Sequence, residues 1–264
     1  MGRGRSKSGG GGGGGSSDEE KSGGGAFDPA TATLDDFYKQ DYKRFTDEAE
    51  DNNYSWEYIG TGREQSQFFR ENSNFDEVAK NITDSERDSL ENWFAGRLMR
   101  GQQYGDFNDM TRREQRWTRD LDAVIDESTL DKGVVVVRRA SGELLMGKGH
   151  RGLTLEEAQS MKGNLVFSKG ALSTGAASQG LTIGDSSKPV EYRIHIVGGS
   201  KGACLWGGEK SINPGWGRKQ REVIMNRESY YMVGDSTYDS SRGIIVTDVF
   251  WAGRSEHDYG FGKK

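Results

Sequence analysis

The order of its sequence patterns predicts an α+β fold: helical periodicity comes first, and strand-like runs follow without alternating with it. In "FDEVAKNITDSERDSLENWFAGRLMRGQQYGDFN", Val78, Ile82, Leu90, Trp93, Phe94 and Leu98 recur at roughly helical spacing. Beyond Asp131 the apolar residues gather instead into short runs separated by Gly, Ser and Asn, as strands are.

Three segments precede or make up the folded part. The basic start "MGRGRSKS" runs into "GGGGGGGSSDEEKSGGG", which has almost nothing to bury, so residues 1–25 read as a glycine-rich disordered tether. Residues 26–74 are rich in Asp, Glu, Asn and aromatics ("LDDFYKQDYKRF", "YSWEYIG") and read as a polar, partly ordered segment. Residues 75–264 form the folded domain. Within it, Thr83 followed by Glu86 is a capping box that opens a second helix. A third helix follows in "MTRREQRWTRDLDAVIDES", with Trp117, Leu121, Val124 and Ile125 on one side; the aromatics of these helices read as core. "GVVVVRRAS" is a buried strand ending in two arginines, and "EYRIHIVG", "REVIMN", "SYYMVG" and "GIIVTDVFW" are further strands.

Composition narrows the function. A net charge of -5 argues against a protein whose main task is gripping nucleic acid, which needs a basic surface. Cys204 is the single cysteine, and His150, His195 and His257 are scattered, so neither a disulfide framework nor a metal site is expected. Glycines stand where a signal peptide needs an apolar stretch, and no run is long and apolar enough to span a membrane. "GKGHRG" has no feeding strand or following helix at the spacing that a phosphate loop requires.

"GRKQREVIMNRESYYMV" plants one carboxylate, Glu222, where a strand begins. Taken alone, it reads as a solvated strand-edge residue. Its company changes that reading: Arg138 ends an apolar strand, Ser173, Thr174 and Gly175 follow in "FSKGALSTGAAS", and "QRE" occupies 220–222. With the lead-in "ITDSERDSLENWFAG", the stretch "YGDFNDMTRR" and the loop "INPGWGRKQRE", these residues resemble the ADP-ribosyltransferase superfamily of the arginine, serine-threonine-serine, glutamate type over about residues 75–252. The loop is similar to that of the clostridial Rho-modifying exoenzymes.

The resemblance implies helices packed on a two-sheet antiparallel β core, and NAD as the substrate that supplies ADP-ribose, with no metal. It makes Glu222 the catalytic carboxylate, held by Ser173, and gives the NAD phosphates to Arg138. Arg139, whose strand position faces the opposite way, is the second candidate. Thr174 and Gly175 belong to the cofactor-binding triplet, where Gly175 departs from the usual serine. The stretch 176–189 would cover the nicotinamide side. Gln220, two residues before the glutamate, sets the acceptor: relatives that modify arginine carry glutamate there, so an amide-bearing or other non-arginine acceptor on a protein target is implied. Trp216 is either a loop anchor or an aromatic that recognises that target. The alternatives are an NAD glycohydrolase with water as acceptor, and an idle binding module on the same fold. By analogy with toxins and with transferases carried in phage heads, action in the cytoplasm of the producing or target cell is expected, with delivery in a virion as one route.

Overall fold

The computed structural model describes residues 62–94, 107–147, 149–175, 188–196, 198–206 and 222–254. The N-terminal layer holds α1 (Gly62–Glu71), α2 (Phe75–Asn81), α3 (Asp84–Phe94), a 3₁₀ turn at Phe107–Asp109 and α4 (Arg112–Asp126). Then come β1 (Thr129–Leu130), β2 (Val134–Ala140), the short helices α5 (Glu143–Met146) and α6 (Leu155–Ser160), β3 (Leu165–Ser168) and β4 (Leu172–Gly175). The chain continues through β5 (Val190–Ile196), β6 (Ser200–Lys201), β7 (Cys204–Trp206), β8 (Glu222–Met225), β9 (Ser229–Asp239) and β10 (Ile244–Arg254).

Three of the described helices start where side chains satisfy their first backbone donors. Thr83 and Glu86 cap α3 reciprocally, at 2.6 and 3.2 Å. The same capping box opens α4 at Thr111 and Glu114, and α6 at Thr154 and Glu157. Trp117, Leu121, Val124 and Ile125 of α4 are buried, as are Val78, Leu90 and Trp93, and Ile82 packs partly buried against them. Polar side chains lock α3 to α4: Trp117 donates to Asp88 at 2.9 Å, and Ser89 donates to Asp120 at 2.8 Å.

Helix α1 lies in the segment read as polar and partly ordered. Its Phe69 is buried, stacked on Trp206 of β7 with ring centroids 4.7 Å apart and on Phe75 at 5.6 Å. Phe69, with Phe68 partly buried beside it, thus lets a mostly polar helix cover the β7 edge of the sheet.

The strand order is β3-β9-β10-β5-β2-β4-β8-β7, beside a two-stranded β1-β6 pair. The expected two sheets take the form of a five-stranded and a three-stranded part joined by one residue pair, Val137 with Gly175. The core is mostly rather than wholly antiparallel, because β10 runs parallel to β5 from Ile245 beside Val190 to Phe250 beside His195. That pairing is reached after the long excursion through β6 to β9, as a parallel pair requires. The valine run of β2 sits centrally between β5 and β4, with Val134, Val136 and Val137 buried. In β9, Gly234 leaves room for the Phe250 ring, which a β-carbon there would meet at 2.6 Å.

Candidate active site

Arg138, Ser173 and Glu222 stand on β2, β4 and β8, three successive strands of the sheet. Gly175 is the joint between them, since it pairs with Val137 on one side and Glu222 on the other. Ser173 faces Ile224 in register, which makes Glu222 its diagonal neighbour, two residues along on the same face. The serine hydroxyl accordingly donates to Glu222 Oε1. Across the joint, Arg138 Nη1 donates to the Ser173 carbonyl at 2.5 Å.

Glu222 is fully buried. Its Oε1 takes a second hydrogen bond, 3.0 Å long, from the indole Nε1 of Trp93 in the last turn of α3. Its Oε2 is buried with no hydrogen-bond partner among the described residues. Burial pushes the carboxyl above the ordinary carboxylate range, and the hydrogen bonds from Ser173 and Trp93 and the charge of Arg138 pull the other way without cancelling it. This is a carboxylate anchored through one oxygen, with the other unengaged. Such a group is arranged to meet a positive charge or a donor brought in by a ligand.

The remaining residues picked out in the sequence divide. Arg139 is turned from this cluster: it is buried, and its Nε and Nη2 donate to the Lys188 carbonyl, Nε at 3.2 Å. Thr174 donates to the Val223 carbonyl at 2.7 Å, so its hydroxyl serves the β4–β8 pairing. Gln220, Trp216 and most of the stretch 176–189 lie outside the described residues. In the sequence Trp93 reads only as core. Its signal was available: a buried tryptophan carries an N–H that needs a partner, although nothing local names a glutamate 129 positions away. Among the described residues no group of His, Cys, Asp and Glu is placed to hold a metal ion, and no helix is long and apolar enough to cross a membrane.

The family model for ADP-ribosyltransferase exoenzymes matches residues 69–251, which is more than half of the chain and contains all of these elements except the first turns of α1 and the end of β10. The chain belongs to the ADP-ribosyltransferase exoenzyme family. This is a family of NAD-dependent enzymes. Solved structures share its fold. Plx2a, an ADP-ribosyltransferase toxin from Paenibacillus larvae, superimposes with a TM-score of 0.58 at 15% identity, covering 73% of this chain and 96% of the toxin. The Clostridium limosum C3 exoenzyme gives 0.55 at 17% identity, covering 75% and 97%. C3stau2 from S. aureus, crystallised with NAD, gives 0.53 at 17% identity, covering 72% and 95%. No curated protein matches the sequence.

Proposed function

We propose that this chain is a mono-ADP-ribosyltransferase that moves ADP-ribose from NAD to a non-arginine acceptor on a protein. The observation that carries the reading is Glu222, a buried carboxylate at the joint of the two sheet parts, held through one oxygen with Arg138 alongside.

The chemistry follows from those groups. When the bond between nicotinamide and ribose breaks, its electron pair leaves with nicotinamide and the ribose carbon acquires oxocarbenium character. A fixed carboxylate in a dry site stabilises that charge far better than water does. Ser173 keeps Glu222 oriented, so the group does not need to reorganise as charge develops. Arg138, beside Ser173, offers a planar, permanently charged guanidinium suited to the phosphates of NAD. The acceptor's nitrogen then attacks the ribose carbon and loses a proton. Because NAD carries a positively charged pyridinium, its arrival favours the ionised form of Glu222 that the reaction needs.

The acceptor class rests on Gln220. A side-chain amide matches another amide with both a donor and an acceptor, whereas it offers a guanidinium no charge. The test is incubation of the protein with labelled NAD and cell lysate, followed by mass spectrometry of modified peptides. Label on asparagine or glutamine is the expected result. Label confined to arginine contradicts the acceptor assignment, and nicotinamide release without any labelled protein favours an NAD glycohydrolase.

A further inference from the structure

We infer that Trp93 is a positioning residue for Glu222: its indole N–H and the Ser173 hydroxyl together occupy Oε1, which leaves Oε2 as the one oxygen that meets the substrate. The inference rests on the proposed transferase reading, and it adds a residue from the helical layer to a site otherwise built on strands.

Three observations carry it. The two donors reach the same oxygen from different elements, Ser173 from β4 and Trp93 from the end of α3. A carboxylate held by one donor can rotate about its terminal bond, while two donors on one oxygen fix both the oxygen and the plane. Oε2 is buried and unpaired among the described residues, which is costly for a group with only a structural role. Trp93 itself is fully buried, so the ring has no freedom to withdraw its N–H.

The bond also acts on the charge state. Burial raises the Glu222 pKa, and donation from Ser173 and Trp93 lowers it; among the described residues, Arg138 of β2 is the charged group whose field reaches the carboxylate. Removing the indole N–H therefore leaves the carboxyl protonated up to a higher pH.

The experiment replaces the indole with its benzothiophene counterpart, by incorporating 3-benzothienylalanine at position 93. This exchanges N–H for sulfur at nearly constant shape, so folding is not at stake as it is in Trp93→Phe, which is made in parallel with melting temperatures recorded for both. Two readouts are taken. The first is the titration of the Glu222 side-chain carbon by NMR in protein with ¹³C-labelled glutamate, without substrate, the signal being assigned by its loss in Glu222→Gln. The second is nicotinamide release as a function of pH. The expected result is a Glu222 titration displaced to higher pH, an acid limb of kcat displaced in the same direction, a kcat reduced about tenfold at its optimum, and a KM for NAD within about threefold. An unchanged titration overturns the inference, and so does a displaced titration with unchanged turnover. Wild-type protein that releases no nicotinamide overturns the proposed function instead, because the titration reads the Trp93–Glu222 contact with no substrate present.

Discussion

The buried environment of Glu222 opposes its charge, and that opposition is measurable in stability. Burial raises its pKa above the unfolded value near 4.5. A carboxyl shifted upward favours the fold below its unfolded pKa, and that contribution is lost as the pH rises through the folded pKa, because only the unfolded chain then ionises freely. Glu222→Gln, which keeps the acceptor for Trp93 and Ser173, should therefore melt at a higher temperature than the wild type at pH 7, with the difference shrinking as the pH falls toward 4.5. A pH-independent difference would mean that the charge is not the cause. The two arginines at the end of β2 part company at the same scale. Arg138→Lys removes a planar donor set beside Ser173 and should weaken NAD binding by about 1–3 kcal/mol. Arg139→Lys should act through the Lys188 carbonyl and leave NAD affinity nearly unchanged. Calorimetric titration of both variants with NAD checks the ranking, and the reverse order would move the phosphate contact to Arg139.

At the scale of elements, much of the architecture was legible. Helical periodicity found α2, α3 and α4, and the apolar runs beyond Asp131 found β2, β5, β8, β9 and β10. The short strands β3, β4 and β7 were missed because three or four residues display no period, and β8, equally short, was legible only through the apolar run that follows Glu222. Thr111 and Thr154 show the same Thr-x-x-Glu pattern as Thr83, so the cap of α4 and the whole of α6 were there to be read. The site was legible in part. Although β4, which carries Ser173, does not read as a strand in the sequence, Arg138, Ser173 and Glu222 stand out through an order along the chain that resembles the family's. The partner role of Trp93 did not, since its bond depends on how α3 packs against β8, a contact that no local spacing encodes. Removing one cap tests the local account: Thr111→Ala should cost about 1 kcal/mol. That is a fall of roughly 2–4 °C in Tm for a domain of this size. Because α4 supplies no donor to Glu222, nicotinamide release should stay within about twofold of wild type. A larger loss of turnover would show that α4 shapes the site directly.

Across the whole molecule, a buried ionic cluster fastens the helical layer to the sheet that carries Glu222. Arg227, between β8 and β9, donates to Asp122 of α4 and to its neighbour Glu228, each at 2.7 Å, and all three side chains are buried. Breaking such a cluster on one side strands charge in a low dielectric. Arg227→Met should destabilise the protein by about 3–5 kcal/mol, read from urea unfolding midpoints, and a loss below about 1 kcal/mol would show that the cluster relaxes into water. The same fastening brings Trp93 of α3 and Ser173 of β4 to one oxygen of Glu222, so the fold and the proposed chemistry meet at that carboxylate. The most direct measurement is nicotinamide release from NAD by wild type and Glu222→Gln, with NAD affinity measured on both. The account predicts turnover by the wild type, a loss of roughly two or more orders of magnitude in the variant, and NAD affinities within a few fold of each other. Near-normal turnover by Glu222→Gln, or none by the wild type, would contradict it.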